Sequence, residues 1–121
     1  MKILIAEDSF NYGVILKSYL ESHGYDYIWV QDGLMAEEKL LEEDFDLLIT
    51  DILMPGRDGF ELLKLIKEKS INIKIIVLTG KKTEVDAVRA LELGADEFVT
   101  KPFNLEEFGV RLRKLMGKVD D

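Results

Sequence analysis

Four apolar segments of the chain each run into a reactive polar residue. Lys2-Ile-Leu-Ile-Ala6 leads to Glu7 and Asp8, and Phe45-Asp-Leu-Leu-Ile-Thr50 leads to Asp51. Ile73-Lys-Ile-Ile-Val-Leu78 leads to Thr79, and Glu97-Phe-Val-Thr100 leads to Lys101 and Pro102. Short continuous runs rich in Ile and Leu suit strands buried on both faces, as in a parallel sheet covered by helices. Parallel strands end on one edge. Three carboxylates, a hydroxyl and an ammonium are therefore expected to meet there. Open α/β sheets bind ligands in the crevice outside those strand ends. Carboxylates crowded in this way repel one another and attract a cation.

Stretches of helical spacing separate the strands. The first helix is expected from about Ser9 to His23, with Val14, Ile15, Tyr19 and Leu20 on one side. Ser9 is its N-cap, His23 a C-terminal capping residue and Gly24 the stop. A second strand, Asp26 to Val30, precedes a helix from about Gly33 to Glu43 capped by Asp32. Asp58 and Glu61 have capping-box spacing and open a third helix to about Lys69, whose apolar face is Phe60, Leu63 and Ile66 widened by Leu62 and Leu65. Thr83 caps a fourth helix ending before Gly94, and Asn104 with Glu107 opens a fifth, to about Met116. Strands and helices alternating through short connections predict one α/β domain over residues 1–121. The expected fold is a (βα)5 doubly wound, flavodoxin-like five-stranded parallel sheet, order 2-1-3-4-5, with helices on both faces.

A net charge of −8 argues against direct nucleic-acid contact and permits a divalent cation and basic partner surfaces. The absence of cysteine excludes disulfides and thiolate metal sites and is compatible with the cytoplasm. The start is interrupted too early by Glu7 and Asp8 for a signal peptide, and no apolar run approaches a membrane span.

Asp51 is the candidate centre. A carboxylate can attack phosphorus and form an acyl phosphate. It then needs cations to neutralise the phosphoryl oxygens and hold them in line. Glu7 and Asp8 would supply metal ligands. Mg²⁺ suits the set because it takes oxygen donors and needs only one or two carboxylates plus a phosphate, and Mn²⁺ accepts similar donors. Lys101 would be the second cation, and the Thr79 hydroxyl could donate to a phosphoryl oxygen.

With these residues in place, the chain resembles the receiver domains of two-component response regulators. The matching motifs are Glu7-Asp8, Asp51-Ile-Leu-Met-Pro-Gly-Arg-Asp-Gly59, Leu78-Thr79-Gly80, Gly94-Ala-Asp-Glu-Phe98 and Lys101-Pro-Phe103, in family order along the whole chain. The resemblance implies that Asp51 accepts a phosphoryl group from a phosphohistidine of a sensor kinase or phosphotransfer protein. It implies Mg²⁺ ligation by Asp8, Asp51 and the backbone carbonyl of Leu53, with Glu7 acting through water. Lys101 would pair with Asp51 at rest and with the phosphoryl group afterwards, while Thr79 shifts toward it. Phe98 occupies the place of the switching aromatic, although an aromatic there also reads as core. The Lys101–Pro102 bond is expected to be cis.

Three positions depart from the commonest family pattern. Glu7 replaces an aspartate, Gly80 replaces an alanine and leaves room for the Thr79 shift, and Phe98 lacks a tyrosine hydroxyl. Leu53 and Lys81 are expected to flank the phosphoryl group. Trp29 reads as packing. The face made by the fourth helix, fifth strand and fifth helix carries Arg89, Glu92, Asp96, Glu97, Glu107, Arg111 and Arg113. It resembles the dimer face of receivers joined to winged-helix transcription domains, which implies a phosphorylation-promoted homodimer. Two other functions compete: a hydrolase with an aspartyl-phosphate intermediate, and a receiver-like module that never takes phosphate. Such hydrolases usually carry a second Asp where this chain has Leu53, so general acid catalysis is missing. Whether the chain is a whole regulator or part of a longer protein stays open.

Overall fold

A computed structural model describes residues 1–80 and 84–117. The elements alternate throughout: β1 Lys2–Ala6, α1 Phe10–Ser22, β2 Asp26–Val30, α2 Gly33–Glu42, β3 Leu47–Thr50, α3 Gly59–Glu68, β4 Lys74–Thr79, α4 Glu84–Glu92, β5 Glu97–Thr100 and α5 Leu105–Met116. All strand pairs are parallel and the order is β2-β1-β3-β4-β5, as the alternation predicts. The register aligns Ala6 of β1 with Thr50 of β3, and Thr79 of β4 with Thr100 of β5. The residues that follow these positions therefore share one edge.

Period-two alternation divides the core into two layers. Leu4, Ala6, Leu48, Ile75 and Val77 point to one face, where α2, α3 and α4 contribute Leu40, Phe60, Leu63, Ile66 and Ala90. Ile3, Ile5, Leu47, Ile49, Ile76 and Leu78 point to the other, covered by Leu16 and Leu20 of α1 and Phe108, Leu112 and Met116 of α5. The expected caps form at Ser9, Asp32, Asp58 and Asn104, and Asp58 with Glu61 makes a complete capping box. Thr83, the expected cap of α4, and Lys81 lie outside the described residues.

The buried face of α1 differs from the expected one. Gly13, Leu16 and Leu20 are buried, whereas Ile15 is 39% exposed. The reason is Gly13. A methyl there would lie 1.8 Å from the Trp29 ring, so the helix seats on β2 through its smallest residue. That close approach turns the helix toward Leu16 and away from Ile15.

Candidate phosphoacceptor and metal site

The strand ends assemble the site by backbone hydrogen bonds. Glu7 N–H donates to Val30 O (3.0 Å), Asp51 N–H to Ala6 O (3.1 Å) and Lys101 N–H to Thr79 O (2.8 Å). These bonds continue the ladders one residue beyond the strands, so the following side chains leave the sheet together. Adjacent residues point to opposite sides. Glu7 is accordingly buried and Asp8 exposed.

Asp51 is buried and fully engaged. Its Oδ1 accepts from Ile52 N–H at 2.6 Å, and its Oδ2 accepts from Lys101 Nζ at 2.6 Å. Lys101 Nζ also lies 2.8 Å from Glu7 Oε1, while Glu7 Oε2 accepts from Ser9 N–H at 2.9 Å. Lys101 thus sits between two buried carboxylates. The Lys101–Pro102 peptide is cis. Gly59 closes the loop under Asp51: its N–H donates to Ile52 O at 2.7 Å, and a methyl there would lie 2.4 Å from Asp51 O.

Burial pushes the Glu7 carboxyl above its usual 4.5, against the opposing pull of Lys101 and of Ser9 N–H. Burial works against the charge of Lys101, but its hydrogen bond to Asp51 and its close ionic contact with Glu7 win and raise it above 10.5. A raised folded-state pKa means that the folded protein holds the proton more tightly than the unfolded chain. Its contribution is full below the unfolded value and is lost as pH rises through the folded one. The metal-free protein should therefore lose stability as pH rises above 4.5 on account of Glu7, and again above 10.5 on account of Lys101. Urea unfolding with a chelator present checks this. Glu7→Gln is expected to remove the first fall, and an unchanged slope in that variant would refute the assignment.

One carboxylate oxygen each from Glu7, Asp8 and Asp51 lie within 4.8 Å of one another. Glu7 Oε1 is buried and has no aligned hydrogen bond despite its ionic contact with Lys101. Buried polar atoms are normally satisfied. A hard cation with coordinated water fits that orphaned oxygen and the all-oxygen donor set.

The structure also supplies partners that sequence reasoning missed. Trp29, read as packing, donates its Nε1–H to Glu7 O at 2.9 Å and rests against Phe10. Tyr12 places its ring 4.3 Å from Lys101 Nζ. Its position was partly legible, since an N-cap at Ser9 sets Tyr12 in the first turn, above the strand ends. Thr79 is buried at the end of β4. Phe98 is partly buried against the layer formed by α2, α3 and α4. Leu53, two residues after Asp51, is 57% exposed. A methyl at Gly80 would meet no described atom within 4 Å.

A parallel five-stranded sheet with an acidic pocket and a lysine at its carboxyl edge defines a receiver. The profile of the response regulator receiver domain matches residues 3–113, and the chain belongs to that family. Family members are phosphoacceptor signalling modules rather than true enzymes, interact with cognate histidine kinases and typically bind Mg²⁺ in the acidic pocket.

The chain is 40% identical over 116 residues to the aerobic respiration control protein ArcA of Escherichia coli K12, covering 96% of this chain and 48% of that protein. It is 34% identical over 119 residues to the transcriptional regulatory protein RprY of Bacteroides fragilis, covering 98% of this chain and 50% of that protein. It therefore spans about half the length of these curated relatives. The non-phosphorylated HemR receiver domain from Leptospira biflexa superposes with a TM-score of 0.89 at 33% identity, covering 99% of this chain and 97% of that one. No helix among the described residues is long and apolar enough to cross a membrane.

Proposed function

We propose that Asp51 accepts a phosphoryl group from a phosphohistidine of a sensor kinase or phosphotransfer protein, and that this switches the face formed by α4, β5 and α5. The observation that supports this most is the Asp51 carboxylate held between Ile52 N–H and Lys101, beside Glu7 and Asp8. An Asp51 oxygen attacks phosphorus, the phosphorus–nitrogen bond breaks, and its electron pair leaves on the imidazole. The product is an acyl phosphate. Mg²⁺, held by Asp8, Asp51 and Leu53 O with Glu7 through water, would neutralise the phosphoryl oxygens; Mn²⁺ could replace it. Lys101 then exchanges the Asp51 carboxylate for a phosphoryl oxygen, and Thr79 donates to another. Phe98 changes its packing as the end of β4 moves.

Intact-mass measurement after incubation with acetyl phosphate and Mg²⁺ tests the proposal. One phosphoryl adduct that decays is expected. No adduct would indicate an inert interaction module, and repeated turnover of phosphomonoesters would indicate a hydrolase. Leu53, two residues after Asp51, is apolar and exposed, so it should hinder an attacking water. Leu53→Asn is expected to speed phosphate release several-fold, and unchanged or slower release would sink that role.

The output face is charged and partly apolar. Arg111 pairs within the chain with Glu97 at 2.5 Å and Glu107 at 3.0 Å, and Arg89 lies 4.2 Å from the Phe60 ring centroid. Val85, Val88 and Leu91 of α4 are exposed. Exposed ion pairs contribute little inside one chain and can be exchanged for pairs across a twofold axis at small cost. A phosphorylation-promoted homodimer through this face follows, with a transcriptional output consistent with the name of the relative RprY. Sedimentation with and without beryllofluoride is expected to show dimer only with the phosphoryl mimic; a monomer in both states would refute the dimer. The domain itself has no direct nucleic-acid role in this scheme, and its setting is the cytoplasm.

A further inference from the structure

We infer that Tyr12 is a positioning residue for Lys101, an aromatic shelf that holds the ammonium in the phosphoacceptor pocket. The inference rests on the phosphoacceptor reading of Asp51. Among the described residues, Lys101 Nζ contacts Asp51 Oδ2 at 2.6 Å, Glu7 Oε1 at 2.8 Å and the Tyr12 ring, whose centroid lies at 4.3 Å. Two of these are anions that change character when the site works. Asp51 would become an acyl phosphate, and Glu7 would help to hold the metal through a bound water. The ring is the neighbour whose interaction with the ammonium does not change through that cycle.

The placement of the ring is itself fixed. Tyr12 N–H donates to the Ser9 side chain at 3.3 Å, which locks the residue into the first turn of α1. Its ring packs on Phe103 at 5.6 Å between centroids, and Phe103 packs on Phe108 of α5 at 5.5 Å. Phe103 stands two residues after Lys101, so Tyr12 braces both the lysine side chain and the backbone segment that carries it. The Lys101 side chain is only 11% exposed, and a cation over an aromatic face is attracted more strongly when it is desolvated. A lysine stem is flexible and its ammonium is a point charge without a fixed fork. Without the shelf, Lys101 would sample positions away from the pocket before reaching the phosphoryl oxygens.

The test separates a ring effect from general packing. Phenylalanine and a series of progressively fluorinated phenylalanines at position 12 keep the shape while draining the negative face of the ring. Acetyl phosphate uptake at saturating Mg²⁺ is expected to be near wild type for Tyr12→Phe and to fall stepwise with fluorination. Tyr12→Leu should be slower by roughly three- to thirtyfold, the range of a partly to fully desolvated cation–π contact. An independent readout is the NMR shift of the Lys101 side-chain protons next to Nζ. These should be displaced upfield in wild type and Tyr12→Phe, and should lose that displacement in Tyr12→Leu. Rates that ignore fluorination, or Lys101 shifts that are the same in Tyr12→Leu, would overturn the inference. A wild type that takes up no phosphoryl group would instead overturn the reading of Asp51, and the Lys101 shifts would still decide the shelf.

Discussion

Asp51→Asn is expected to take up no phosphoryl group from acetyl phosphate or from a kinase, while remaining folded. The amide oxygen can still accept from Ile52 N–H, as Asp51 Oδ1 does at 2.6 Å. It carries no charge and is no nucleophile toward phosphorus. Folding should survive because of the local charge balance. Glu7 and Asp51 together with Lys101 make two anions around one cation, and the substitution leaves one of each. Breaking a buried pair is costly when it strands a charge, and here none is stranded. Intact mass and thermal unfolding check both halves. A phosphoryl adduct on the variant would move the acceptor elsewhere, and an unfolded variant would refute the charge argument.

Gly59→Ala is expected to be the most damaging small substitution near the site. A methyl at this position would lie 2.4 Å from Asp51 O and 2.9 Å from Ile52 Cα. Both opposing atoms are backbone, so no rotamer change relieves the contact. The Gly59 N–H bond to Ile52 O, at 2.7 Å, would be strained as α3 is pushed out. Overpacking typically costs 1–3 kcal/mol, and an unrelievable backbone contact belongs at about 3 kcal/mol. Because the displaced carbonyl belongs to Asp51, phosphoryl uptake should slow as well. Gly80→Ala is the control: a methyl there meets no described atom within 4 Å and should leave the unfolding midpoint nearly unchanged. Chemical unfolding of the two variants side by side decides; equal midpoints would refute the packing argument.

The architecture was largely legible because it is encoded locally. Apolar runs of strand length mark buried strands, and Asp58 with Glu61 marks the start of α3 through groups that meet within one turn. Parallel pairing then follows from the alternation, and with it the meeting of Glu7, Asp8, Asp51, Thr79 and Lys101 at one edge. The face of α1 was less legible. Hydrophobicity favours Ile15 and Val14 over Gly13, yet Gly13 makes the close contact because the Trp29 ring occupies the space a side chain would need. A periodicity argument weighs only what side chains gain by burial. It does not register the absence of one as a contact.

The sequence by itself determined which residues stand at the carboxyl edge, because strand ends and parallel order are properties of local pattern. The tertiary structure decided how those residues divide the work. Burial of Glu7 beside exposure of Asp8 follows from the direction in which β1 leaves the sheet. The grip of Lys101 on both Glu7 and Asp51, the Trp29 bond to Glu7 O and the Tyr12 ring against Lys101 join residues that belong to different elements and lie far apart in sequence. Such contacts depend on packing distances between whole elements, and no local spacing records them.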